Sequence, residues 1–342
     1  MLIKANDLFV FLQKETKEER NGFQDIIYPA KPRFEDNGHT FFSPSSTDQT
    51  IVLDSYRTVD PTKMLFYLTR ERLTPEEFVE RKRLLVGVKG CDLKAMELLD
   101  RALLHENFVD PAYKNWRTHT TVVTTDCLDI CDTCHCTLVG GKPYSETGFD
   151  VNLSRVDDAY LITVGSDKGE ELVNAWKKEF RLNEATDAVI QKVKDQRQSI
   201  IKRLEEQNAE FTRTGRYDTF RSVPNEVWEE ASKSCIGCGA CTHICPTCYC
   251  IILNDESKAE KFIKEKSYDS CQLYGYARVA GGGTPRPNMS KRFRNRYLCK
   301  FDYMAHNFDT LGCTGCGRCT ETCAGKIDLR KVVQQAEKAV AA

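Results

Sequence analysis

The chain has 342 residues, 41% hydrophobic and 29% charged, with a formal net charge of −1. That length suffices for two domains with cores of their own, and the balanced charge gives no bias toward nucleic acid or an anionic membrane. No apolar run approaches the roughly 20 residues of a membrane span. The N-terminal stretch lacks the long apolar segment and cleavage site of a secretory signal, so a cytoplasmic chain is expected.

In chain order, residues 5–19 are expected to form a helix with Leu8, Phe9, Phe11 and Leu12 on one side. Strand-like runs follow at 25–28, 64–68, 84–88, 120–124 and 160–164. A helix over 92–104 is capped by Asp92 and apolar at Leu93, Met96, Leu99 and Leu103; another follows Ser166 over 168–180. Residues 184–210 read as a long charged helix whose stripe of Val189, Ile190, Val193, Ile200, Ile201 and Leu204 packs against its own domain. The polar stretch 211–225 marks a boundary between an N-terminal α/β domain, 1–215, and a second domain, 216–342. The fold class is therefore α+β.

Seventeen cysteines, an odd number without an export signal, point to metal or redox chemistry rather than disulfides. Twelve of them lie beyond Pro224. CIGCGACTHICP places Cys235, Cys238, Cys241 and Cys245 at C-x2-C-x2-C-x3-C-P, and CTGCGRCTETCA repeats the spacing with Cys313, Cys316, Cys319 and Cys323. Three cysteines so spaced wrap one face of a cubane, and the fourth reaches the other cluster of a two-cluster ferredoxin. One [4Fe–4S] cluster is thus expected on Cys235, Cys238, Cys241 and Cys323, the other on Cys313, Cys316, Cys319 and Cys245. Gly237, Gly239, Ala240, Gly315 and Gly317 leave room for backbone N–H groups near cluster sulfides. Structural zinc takes two separated cysteine pairs instead. The second motif ends in Ala324 where the first has Pro246. The long insert between the motifs is expected to be helical at 256–266 and 290–304, which favours an α-helical dicluster ferredoxin domain over the compact β-hairpin type.

In the N-terminal half, VGVKGCDLKAMELLDR reads as strand, turn and helix, with Cys91 just before the Asp92 cap. The positive helix end there is expected to lower the thiol pKa. Further on, DCLDICDTCHC supplies Cys127, Cys131, Cys134 and Cys136. Any three of these with Cys91 can hold a cluster, or the four alone a zinc ion.

The segments GVKGCDLKAM, CIGCGACTHICPTCYC, DSCQLYGYARVAGG, RFRNRYLCK and GCTGCGRC, with the run from Cys127, give the chain its kinship. It resembles the β subunits of soluble NAD(P)-linked hydrogenase (sulfhydrogenase) and the related iron–sulfur subunit of anaerobic sulfite reductase. The resemblance implies a third cluster on Cys91, Cys127, Cys134 and Cys136, with Cys131 as an addition. It also implies a non-catalytic subunit relaying electrons between a flavin subunit that handles NAD(P)H and a catalytic partner of hydrogenase, sulfur, sulfite or heterodisulfide reductase type. The alternative is a subunit that itself reduces sulfite, polysulfide or disulfide at an N-terminal cluster.

The chain lacks a G-x-G-x-x-G between strand and helix, so no flavin or NAD site of its own is expected. Cys248, Cys250, Cys271 and Cys299 remain: they either ligate a fourth iron–sulfur centre or pack as buried thiols. The basic segment Lys291, Arg292, Arg294, Arg296 and Lys300 reads as compensation of cluster charge, with docking of an acidic partner as second choice.

Overall fold

The computed structural model describes residues 1–14, 20–32, 38–44, 49–73, 78–211, 217–258 and 260–341. Strand β1 (Leu2–Lys4) leads into helix α1 (Ala5–Leu12), which buries Leu8, Phe11 and Leu12. The helix ends at its Gln13 cap, short of the expected extent, and residues 15–19 of that expectation lie outside the described residues. β2 (Asp25–Ala30) pairs antiparallel with β3 (Phe41–Pro44). A short helix α2 (Lys63–Phe66) then precedes β4 (Arg70–Arg72). The strand expected at 64–68 is thus corrected to a helical turn; a short apolar run carries no periodicity to separate the two.

β5 (Arg83–Val88) runs into α3 (Gly90–Leu103). The small hairpin of β6 (Leu104–His105) and β7 (Phe108–Val109), then α4 (Pro111–Thr118), return the chain to β8 (Thr120–Thr125). β9 (Val151–Val156) and β10 (Ala159–Val164) follow, then α5 (Asp167–Glu179), capped by the Ser166 hydroxyl, and α6 (Asp187–Gln207). Seven strands form one sheet in the order β1-β10-β9-β8-β5-β2-β3. The central pairings from β2 to β9 are parallel and the outer ones antiparallel. β5 and β8 are buried along their whole length, as inner parallel strands covered on both faces must be.

Parallel strands bring their carboxyl ends to one edge of a sheet, where α/β folds place their ligands. Here β5 exits into Lys89, Gly90 and Cys91, and its neighbour β8 exits into Asp126 and Cys127. The buried Lys89 Nζ ties the two exits together. It donates to Leu53 O (2.7 Å), Thr125 Oγ1 (2.9 Å) and Asp126 O (3.2 Å).

The second half contains α7 (Asn225–Ala231), α8 (Ala240–His243), strands β11 (Ile251–Lys258) and β12 (Lys261–Tyr268), and α9 (Met289–Leu298). A π-helical turn over Cys299–Tyr303 joins α9 to α10 (Met304–Phe308); α11 (Arg318–Glu321) and α12 (Leu329–Ala341) close the chain. Trp228, Phe293, Tyr297, Phe301 and Leu329 form its core. The helix expected at 256–266 is corrected to an antiparallel hairpin, because β12 adds itself to β4 of the first half and tertiary pairing overrides local propensity. Across that junction the buried Lys266 ammonium sits 2.5 Å from Asp110 and 2.9 Å from Glu71. No helix among the described residues is long and apolar enough to cross a membrane.

Candidate metal centres

The two ferredoxin-type motifs share one backbone. Gly237 and Gly315 both have φ +69°, and Gly239 and Gly317, at +76° and +75°, stand as the N-caps of α8 and α11. These left-handed positions favour glycine, and they recur at matching places in the repeat, so each motif curls its cysteines the same way. The two short helices pack on one another.

Cys245, Cys313, Cys316 and Cys319 line one narrow cavity with His135, Thr314, Arg296 and Lys300. This is the set expected from the crossed ferredoxin pattern. Of the other set, Cys241 and Cys323 approach the Arg296–Tyr297 turn of α9, Cys235 lies near Cys241, and Cys238 is its exposed member. Gly325, two residues past Cys323, lies against the Ser234 backbone beside Cys235.

Cys91, Cys127, Cys134 and Cys136 line a third cavity, together with Arg57, Lys142, Leu204 and Cys316. The strand exits supply the first two thiols. The other two come from a loop held by α6, where Gln207 Nε2 donates to Cys131 O and Cys134 O (3.0 Å each) and Asn208 Nδ2 to Cys134 O (2.9 Å). Ile200 and Leu204 pack on the same loop; of the expected stripe Val193, Ile200 and Leu204 are buried, whereas Ile190 is exposed. Cys131 stands beside the set, with its Sγ 3.1 Å from that of Cys134 and 3.7 Å from Arg57 Nη2. Cys316 lines both this cavity and the Cys245–Cys319 cavity, and His135 N donates to Gly315 O (2.8 Å). The two thiol sets are therefore wall to wall.

Among the described residues no three His, Cys, Asp or Glu side chains converge on a point as ligands of a single ion do. Cys245, Cys313, Cys316 and Cys319, and likewise Cys91, Cys127, Cys134 and Cys136, are spread around the walls of their cavities.

Electrostatics correct one expectation. Asp92 is not the cap of α3; Lys89 stands at that position, and Cys91 and Asp92 fall within the first turn. Burial, then the Asp92 carboxylate, pushes the Cys91 thiol up rather than down. The helix end is outweighed by desolvation, which disfavours any buried charge. Burial likewise pushes Cys127 to about 11, against the pull of Lys89, and Cys136 and Cys313 to about 12. Such thiols become thiolates when a bound cation compensates them, and iron in a cluster supplies that charge.

The basic segment divides. Arg296 is buried with no hydrogen-bond partner for its Nε, and it lies near Cys241, Cys319 and Cys245. Lys300 is buried beside Cys245, Cys248 and Cys299. Those two cations suit charge compensation. Arg292 instead holds a loop through Pro287 O (2.7 Å) and Gln272 O (3.0 Å), and Arg294 reaches Arg221 O (3.0 Å) at the surface. Sequence reasoning missed Arg57, which is buried, donates to Cys316 O (2.8 Å) and pairs with Glu321. It lies in a loop with no motif, and only the fold reveals it.

A family model described as a 4Fe-4S dicluster domain matches residues 234–327. The chain is 32% identical over 308 residues to sulfhydrogenase 2 subunit beta of Pyrococcus furiosus, covering 87% of this chain and 88% of that one. No solved structure matches the chain.

Proposed function

Because the chain belongs to the sulfhydrogenase beta-subunit family, we propose that it is the iron–sulfur subunit of a hydrogenase or sulfur-reductase complex and relays single electrons. The donor side is a flavin subunit that handles NAD(P)H, and the acceptor side a catalytic reductase or hydrogenase subunit. An α/β domain over 1–215 carries one [4Fe–4S] cluster on Cys91, Cys127, Cys134 and Cys136. A ferredoxin domain over 216–342 carries two, on the crossed sets Cys235, Cys238, Cys241, Cys323 and Cys313, Cys316, Cys319, Cys245.

One observation carries this reading: Cys316 belongs to the walls of two adjoining thiol cavities. Neighbouring clusters give an electron a short path between halves. The chain's own work is then to set spacing and potential through local charge, burial and hydrogen bonds to sulfur. Arg57, Arg296 and Lys300 serve that role as buried cations along the path.

The test is anaerobic purification with partners, followed by reduction. NAD(P)H should leave the isolated chain oxidised and should reduce its clusters once the co-purifying flavin subunit is added. Reduction of the isolated chain by NAD(P)H alone would refute the relay.

A reductase reaction at the N-terminal thiol set has one observation in its favour. A cavity of about 210 Å³ edged by Lys94 and Lys142 reaches Cys91 and Cys136. Turnover of sulfite, polysulfide or disulfide by the isolated chain with a viologen donor would favour it over the relay.

A further inference from the structure

We propose that Cys248, Cys250, Cys271 and Cys299 hold a fourth [4Fe–4S] cluster, placed against the Cys245–Cys319 centre so that this centre becomes a junction. The site rests on its own thiols and not on the ligand sets of the other three clusters.

The four cysteines come from three separate segments: the C-x-C after the first motif, the turn after β12, and the π-helical turn after α9. The fold brings all four to the walls of one cavity of about 500 Å³. The cavity opens to solvent beside Phe108 and carries the four thiols on its walls together with Arg296 and Lys300, which gives a thiolate-bound guest both ligands and counter-charge. A cubane offers an iron for each thiolate.

The surroundings match an anionic guest. Arg296 and Lys300, both buried, line this cavity as well as the neighbouring Cys245–Cys319 cavity. Burial of two like charges side by side is costly without anions between them, and a thiolate-bound cluster on either side supplies the balance. The Tyr276 hydroxyl lies 3.8 Å from Cys250 Sγ, placed to donate to a ligand sulfur. Cys299 opens the π-helical turn, a departure from α-helix that recurs at functional sites.

Position gives the consequence. Cys248 N donates to Cys245 O (3.4 Å), and the two cavities share Arg296 and Lys300, so a cluster here would neighbour the Cys245 centre. That centre already adjoins the N-terminal set through Cys316. Electrons entering it would have two onward routes within one chain.

The test is iron and sulfide content with Mössbauer spectroscopy on the full chain, made and reconstituted without oxygen. The wild type should carry about 16 irons, at four per cluster. The double variant Cys250→Ala/Cys271→Ala should lose about four irons and keep the remaining clusters, and Cys131→Ala should lose none. About 12 irons in the wild type, with or without an equivalent of zinc, would overturn the fourth cluster while leaving the relay intact. The wild-type count decides the matter even if the double variant does not fold.

Discussion

Arg318, inside the second ferredoxin-type motif, pairs with Asp92, in the first turn of the helix that bears Cys91, through two hydrogen bonds of 2.7 Å. Both side chains are 1% exposed. The pair links the two halves at the point where their thiol cavities meet, and Arg318 Nε adds bonds to Thr58 O and Val59 O at 3.0 Å each.

Removing one member of a buried pair leaves the other charge uncompensated. Asp92→Ala should destabilise the protein by about 3–5 kcal/mol, read as a lowered urea midpoint under anaerobic conditions. The double variant Asp92→Leu/Arg318→Met should recover most of that loss, since two apolar side chains leave no orphaned charge.

Gly315→Ala should be far more damaging than Gly275→Ala. Gly315 has φ +69°, and a Cβ there would lie 2.5 Å from Cys136 N, whereas Gly275 has open space. The left-handed backbone alone costs about 1–2 kcal/mol for a side chain, and the backbone clash adds to it. The expected result is loss of soluble, iron-loaded protein for Gly315→Ala and normal yield for Gly275→Ala.

The two ferredoxin-type motifs are legible in the sequence because their ligands are local: three cysteines at intervals of three need only a loop to converge. The alternation of strands and helices around Cys91 is legible for a similar reason, since β5 and α3 differ clearly in period. The N-terminal thiol set is not local. Cys91 and Cys127 meet because β5 and β8 are neighbours in the sheet, a fact of topology that spacing does not carry. The hairpin at β11 and β12 is hidden by charged residues that favour helix when isolated and are held extended by pairing with β4. Arg57 and Lys89 are likewise invisible before folding, because an isolated cation in a loop ordinarily faces water.

Arg296→Gln should lower the midpoint potentials of the ferredoxin-type clusters. A buried positive charge stabilises the reduced, more negative cluster, and its loss makes reduction harder. At an effective dielectric of about 20 the shift is on the order of 100 mV. Arg294→Gln, at the surface, should leave the potentials unchanged. Redox titration followed by electron paramagnetic resonance distinguishes the two variants.

Asp60 should give stability a pH slope. Burial raises its carboxyl from 3.8 to about 6, although Phe42 N donates to it. An acid whose folded pKa lies above its unfolded value contributes stability at low pH, and that contribution is lost as pH rises through about 4 to 6. Asp60→Asn should remove the slope. The wild type should therefore fall behind the variant by about 2 kcal/mol between pH 4 and pH 7, measured as the difference in urea midpoints.

The most direct measurement is the iron and acid-labile sulfide content of the folded chain purified without oxygen. Thiol-held cubanes predict a brown protein with at least about 12 irons per chain and sulfide to match. A folded, colourless chain free of iron, with or without zinc in its place, would contradict the account.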